Sequence, residues 1–310
     1  MGRRRVLSLL GGGLLVALAG VAWWAYTPDL PRDVLEARYR SRQDAYVQAL
    51  GVSLRVRDSG PHGAPVVIML HGFGASLETW EAWAQGLSDR FRVVRFDLPG
   101  FGLTGPDPTG DYSDARSIAV LGALMDQLGI ARASLVGNSL GGRIAWRFAA
   151  THPDRVQRLV LVAPDGFESK GFEYGRAPEV GFAVRLMRHA LPRPLVQMSL
   201  APAYGDRAAL SDAVLDRYRD LMLAPGVRDA MIARLEQSIL HDPRPALARI
   251  AAPTLLVWGA KDAMIPVANA QDYLAAIPDA RLVEFPALGH VPHEEAPAET
   301  LAEVRAFLEA

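Results

Sequence analysis

Seven short runs of β-branched and aliphatic residues recur between residues 52 and 285, and stretches of helical spacing separate them. The runs cover 52–57, 66–70, 93–97, 134–136, 159–162, 255–258 and 282–285. Several are apolar at consecutive positions, as in Val66, Val67, Ile68, Met69 and Leu70. That pattern suits strands buried on both faces of a parallel sheet. Parallel neighbours need crossovers, and residues 113–128, 140–150 and 297–308 carry the spacing of helices. In the first of these, Ile118, Leu121, Leu124, Met125 and Leu128 share a helical face and Gly129 supplies a stop. The alternation predicts an α/β domain with right-handed crossovers.

The rhythm breaks between Pro164 and Ile250. Helical patterns over 180–190, 212–222 and 228–240 fill that stretch, and no buried strand is legible in it. A helical insertion is therefore expected over 164–250. It divides the sheet domain into a first part, 51–163, and a second part, 251–310. Residues 27–50 read as a stalk or lead-in helix.

The start of the chain has a different character. Arg3, Arg4 and Arg5 precede an uncharged, mostly apolar run from Val6 to Tyr26. As a helix it would span roughly 30 Å, about one hydrocarbon core. Trp23, Trp24 and Tyr26 lie at its far end, where amphipathic rings favour the headgroup region. Residues 1–26 are expected to be a single-pass inner-membrane anchor, with the arginines cytoplasmic and the rest of the chain facing the periplasm or the outside. The alternative is a signal peptide cut after Ala17-Leu18-Ala19, which would release the chain.

Composition narrows the chemistry. There is no cysteine, so disulfides, thiolate metal sites and a cysteine nucleophile are excluded. A net charge of −1 offers no electrostatic footprint for nucleic acid. Neither His-Glu-x-x-His nor a phosphate-binding Gly-x-x-x-x-Gly-Lys occurs, so no metal site is expected.

The central motif is Gly137-Asn138-Ser139-Leu140-Gly141-Gly142, which follows the run at 134–136 and opens a helical stretch. A serine on so sharp a strand-to-helix turn is lifted clear of the backbone, and the helix N-terminus beneath it favours negative charge. Serine needs a general base, and the base needs an orienting acid. Asp262 follows the run at 255–258, and His290 follows the run at 282–285. Both stand just past strand ends, on the edge where open parallel sheets place ligands. The chain order of serine, acid and histidine fits such a sheet. The backbone N–H groups of Leu140 and Phe73, the latter in His71-Gly72-Phe73-Gly74, are the candidate oxyanion donors. His71 reads as a residue that holds its loop. Asp97, in a Pro/Gly-rich turn ahead of the serine, reads as a turn-stabilising carboxylate. His293 is a rival base ranked below His290.

Taken together, His71-Gly72-Phe73-Gly74, Asp97-Leu98-Pro99-Gly100-Phe101-Gly102, the Ser139 turn, the stretch from Trp258 through Asp262 to Pro266, and Gly289-His290 resemble the α/β-hydrolase superfamily. The resemblance runs from about residue 50 to the C-terminus. It implies an eight-stranded, mostly parallel sheet, a helical cap over the site and no cofactor. Within the superfamily the chain is most similar to bacterial lipases and esterases of the Moraxella lipase type, with Leu140 where those usually carry Met. The implied activity is hydrolysis of a small-molecule carboxylic ester through an acyl-enzyme on Ser139, and a membrane-tethered site would meet lipophilic acyl esters. The meta-cleavage product hydrolases, which cut C–C bonds, share the serine motif but usually carry a Pro-Gly extension where this chain has Ala75-Ser76. A non-catalytic ligand-binding module is the third possibility, and a perhydrolase side activity is compatible with the same residues.

Overall fold

The computed structural model describes residues 25–310 apart from Lys170, together with Gly20 and Trp23. Most of the anchor or signal segment expected over 1–26 lies outside the described residues. Among those described, no helix is long and apolar enough to cross a membrane.

Eight strands form one sheet: β1 (Asp44–Ala49), β2 (Val52–Ser59), β3 (Val66–Leu70), β4 (Arg92–Phe96), β5 (Ala133–Asn138), β6 (Val156–Val162), β7 (Thr254–Gly259) and β8 (Ala280–Phe285). Their order is β1-β2-β4-β3-β5-β6-β7-β8. β2 is antiparallel to both β1 and β4, and every later pairing is parallel. From Tyr26 onward the α-helices among the described residues are α1 (Arg32–Tyr39), α2 (Glu81–Leu87), α3 (Asp114–Gln127), α4 (Leu140–Thr151), α5 (Phe182–Leu186), α6 (Arg193–Leu200), α7 (Asp212–Met222), α8 (Val227–Glu236), α9 (Arg244–Leu247), α10 (Asn269–Ala276), α11 (Pro292–Glu295) and α12 (Pro297–Glu309).

The consecutive apolar runs divide between two cores because side chains alternate across a strand. Ile68 and Leu70 of β3, Leu159 and Leu161 of β6, and Leu256 and Trp258 of β7 face one core. Val67 and Met69, Val160 and Val162, and Leu255 and Val257 face the other. Each such buried aliphatic side chain contributes about 1.5–3 kcal/mol. Ser113 precedes α3, and its side chain accepts the Arg116 N–H, capping the helix start.

Residues 27–50 depart from the stalk or lead-in helix expected of them. Helix is confined to Arg32–Tyr39, and Asp44–Ala49 is an edge strand paired with β2. The two strands join through Leu50 and Gly51, both at positive φ (51° and 85°). Tight hairpins favour Asn or Asp at the first of these positions. Leucine there gave no turn signal. Nor is the segment before α1 a free stalk. Thr27 N–H donates to His189 O (2.8 Å), Leu30 N–H donates to Leu223 O (2.8 Å), and Arg228 Nη1 donates to Thr27 O (2.8 Å).

The stretch 164–250 carries no sheet strand and holds α5 to α9. Helix over 180–190 shrinks to Phe182–Leu186, and α6 has no counterpart in the sequence patterns. Leu191, Val196, Leu215 and Leu223 form this insertion's own small core.

Candidate active site

β5 runs out at Asn138, and α4 starts at Leu140, so Ser139 alone makes the turn between them. Its φ of 52° and ψ of −117° lie where residues other than glycine rarely sit, at a cost of about 1–3 kcal/mol. Three hydrogen bonds hold it there. Ser139 N–H donates to Val162 O (3.1 Å), and Ser139 O accepts from Arg143 N–H (2.9 Å) and Asp165 N–H (3.1 Å). The turn is tight against β3. A methyl group on Gly141 would stand 2.2 Å from Leu70 O and 2.6 Å from His71 O, both backbone atoms. Gly141→Ala is therefore expected to lose about 3 kcal/mol or more of stability. Denaturant unfolding checks this; an unchanged midpoint would show that the turn has room.

The acid and histidine come from neighbouring strands. Asp262 lies beyond β7, and its Oδ1 accepts from the N–H groups of Met264 and Ile265, both at 2.8 Å. Oδ2 accepts from His290 Nδ1 at 2.7 Å. Both side chains are buried. With Nδ1 so engaged, Nε2 is the ring nitrogen left for proton transfer. Ser139 and His290 together line a cavity of about 190 Å³ whose other walls include Phe73, Phe172, Leu235 and Ile265. A smaller recess also lined by both reaches Leu200, Tyr204 and Val291.

The loop carrying Phe73 lies against the serine turn. A methyl group on Gly72 would stand 2.8 Å from Asn138 Oδ1 and 3.4 Å from Ser139 Cβ. Leu140 is the first residue of α4, so its N–H has no partner within the helix. His71 anchors the loop from below. Its Nε2 accepts from Leu98 N–H (2.9 Å), which places the ring proton on Nδ1, and Nδ1 donates to Gly72 O (2.7 Å). Burial disfavours the charged ring and lowers its pKa to about 4. The folded chain thus holds a neutral His71, whereas the unfolded chain protonates it below its ordinary pKa of about 6.5. Its stabilising contribution is complete above that pH and disappears as pH falls to about 4, a change of about 3 kcal/mol. Unfolding free energies measured across that range should fall towards acid, and His71→Gln should flatten the slope. An equal slope in the variant would assign the effect elsewhere.

The other polar residues flagged in the sequence have different surroundings. Asp97 Oδ1 accepts from Leu77 N–H (2.8 Å) and Oδ2 from Leu103 N–H (2.9 Å), so it ties two loops together away from His290. His293 is stacked on Trp80 (4.1 Å between rings) and its Nε2 meets Thr79 Oγ1 at 3.0 Å. Burial holds its pKa well below the ordinary value, and the nearby His290 adds to the shift.

Several supporting residues had no signal of their own in the sequence. Asn138 Nδ2 donates to His290 O (3.1 Å) and to Val162 O (3.0 Å), linking the histidine loop to the serine strand. Glu295 accepts from Gly289 N–H (2.8 Å), Gly205 N–H (3.1 Å) and Asp206 N–H (2.7 Å). Glu294 takes Tyr204 OH (3.1 Å), Tyr218 OH (2.8 Å) and the Arg217 guanidinium. Apart from Gly289, the partners of Glu294 and Glu295 sit 76 to 90 residues away in the insertion, beyond the reach of any local pattern. Arg234, at the cavity wall, donates to Pro99 O (2.9 Å) and Tyr112 O (3.2 Å). Burial, with Arg143 nearby, lowers its pKa to about 10. Asp165 also reaches the cavity, with its carboxylate 3.0 Å from Arg143. Among the described residues, no group of three or more His, Asp or Glu side chains is placed to hold a metal ion.

Comparison with known proteins agrees with this architecture. A family model described as the alpha/beta hydrolase fold matches residues 65–297. The dihydrolipoyllysine-residue acetyltransferase component of the acetoin cleaving system of Pseudomonas putida is 33% identical over 83% of this chain and 67% of its own length. The 2-hydroxy-6-oxo-6-phenylhexa-2,4-dienoate hydrolase of Burkholderia cepacia is 30% identical over 76% of this chain and 84% of its own length. Among solved structures, a bacterial membrane phospholipase A superposes with a TM-score of 0.74 at 27% identity, covering 99% of this chain and 98% of its own.

Proposed function

Since the chain belongs to the α/β-hydrolase fold family, we propose that it is a serine hydrolase that cleaves carboxylic esters through an acyl-enzyme on Ser139. The observation that carries this reading is the 2.7 Å hydrogen bond between His290 Nδ1 and Asp262 Oδ2, made beside a cavity that Ser139 shares. His290 Nε2 takes the Ser139 proton as Oγ bonds to the ester carbonyl carbon. Asp262 stabilises the imidazolium that results. The carbonyl electron pair moves onto oxygen, which the Phe73 and Leu140 N–H groups hold. Collapse breaks the ester C–O bond, and the alcohol leaves with the proton from His290. Water then enters and gives a proton to His290 as its oxygen bonds to the acyl carbon; the bond from that carbon to Ser139 Oγ breaks, Oγ recovers the proton from His290, and the acid is released. No step calls on a cofactor.

The cavity wall is mostly apolar, with Phe73, Phe172, Leu235 and Ile265 facing it. A lipophilic acyl ester fits such a wall, and likeness to a membrane phospholipase A supports the same substrate class. Esterases and lipases of the Moraxella type remain the subfamily the motifs favour. Residues 1–26 serve in this reading as a membrane anchor that leaves the hydrolase domain outside the cytoplasm. C–C bond hydrolysis is the second reading, favoured by likeness to the dienoate hydrolase. Turnover of a nitrophenyl ester against loss of a ring-fission dienoate separates the two. A fluorophosphonate probe with peptide mapping tests the nucleophile: label on Ser139 is expected, and label on any other residue refutes the assignment.

A further inference from the structure

Exposed apolar side chains are unevenly spread over this molecule. Phe182 (77% exposed), Val184 and Leu186 of α5, and Leu195 and Met198 (70%) of α6, crowd into 17 positions. Every residue of α5 is exposed, so no described residue buries this helix bearing Phe, Val and Leu. Exposed apolar side chains concentrated in one segment in this way point to a docking face. The apolar run of the N-terminus ends against the same place. Tyr26, itself exposed, bridges to Ala190, and Thr27 N–H donates to His189 O (2.8 Å). Arg228 then fastens the segment through Thr27 O (2.8 Å) and Asp29 (2.5 Å).

We infer that the α5–α6 face, with Tyr26, is a lipid-bilayer docking surface that delivers membrane-dissolved esters to the Ser139 cavity. The inference rests on the proposed anchor and esterase readings and adds the surface and route that they lack. α6 gives the route. It is about 12 Å long at 1.5 Å per residue. Its outer positions, Leu195 and Met198, are exposed, and its last residue, Leu200, lines the recess that Ser139 and His290 share. The arginines around the face are already paired: Arg185 with Glu236 (2.7 Å), Arg188 with Asp229 (2.8 Å) and Arg193 with Asp216 (2.7 Å). Apolar burial rather than anionic headgroups therefore drives docking, so zwitterionic lipid suffices.

The chain's lack of cysteine makes the test simple. Phe182→Cys, Leu186→Cys and Met198→Cys each create one site for an environment-sensitive fluorophore. Ala131→Cys, exposed in the loop that enters β5, is the control. The full chain is placed in phosphatidylcholine vesicles with or without a nitroxide-bearing lipid. The three α5–α6 probes should shift to the blue and be quenched by the nitroxide, while the control stays water-like. Water-like emission at those probes in a vesicle-bound chain would overturn the inference. So would a blue shift without lipid quenching, which would mean that a second copy or the chain's own N-terminus covers the face. In the triple variant Phe182→Ser, Leu186→Ser, Met198→Ser, the rate on a vesicle-dissolved ester relative to a short soluble ester should fall about tenfold or more. An equal ratio would refute delivery, and the soluble ester reports that the variant is folded. Flotation of the unlabelled chain tests the anchor separately, and the fluorophosphonate label tests catalysis separately.

Discussion

Ser139→Ala is expected to lower kcat for ester hydrolysis by on the order of 10⁶, with KM nearly unchanged. The residual rate would come from oxyanion donors and substrate positioning, which do not depend on the hydroxyl. Folding should survive, because the strained turn is held by backbone hydrogen bonds to Val162, Arg143 and Asp165 rather than by the side chain. Alanine pays the same backbone cost at φ 52°, about 1–3 kcal/mol. Steady-state kinetics and denaturant unfolding on the same preparation check both halves. A variant that keeps a tenth or more of the activity would remove Ser139 from the chemistry.

Asp262→Asn should cost about 10⁴ in kcat. The reason is the division of labour between the two carboxylate oxygens. Oδ1 is committed to the N–H groups of Met264 and Ile265, and Oδ2 to His290 Nδ1. An asparagine must put its carbonyl oxygen where two N–H groups point, since its NH₂ has nothing to donate to there. The NH₂ then faces His290 and forces Nδ1 to accept. The ring proton moves to Nε2, the nitrogen that must receive the serine proton. The variant should stay folded and keep its substrate affinity while kcat collapses. A loss under tenfold would show that Asp262 does not set the histidine tautomer.

Much of the sheet could be read from the chain because its central strands are buried on both faces. Runs such as 66–70 and 255–258 have no polar alternation to mimic a surface helix, and their spacing leaves room for crossovers. β1 was not legible because an edge strand carries only a partly buried face and its turn begins with leucine. The insertion was visible as a break in rhythm, and α7 and most of α8 were legible within it, but α5 was legible only as part of a longer expected helix and α6 not at all. Short helices such as α5, fully exposed, and α6, which buries only Val196, bury too little of one face to show a clear period. Ser139, Asp262 and His290 stood out because each follows a strand in an order that suits a parallel sheet. The glycines around the serine were legible for the same physical cause: Leu70 O leaves no space for a side chain at Gly141.

The linear order of residues therefore determined the class of sheet, the sharp serine turn and the candidate acid and base. These depend on local backbone geometry and on strand ends, which short segments encode. Only the tertiary structure decided which groups hold the site in place. Asn138 reaches His290 across 152 positions, and Glu294 and Glu295 gather partners from the insertion. Likewise, only the assembled fold put the exposed α5–α6 face beside Tyr26 and led it to the cavity. Such contacts join residues whose separation along the chain carries no period, so they come into being only when the sheet and its insertion close on each other.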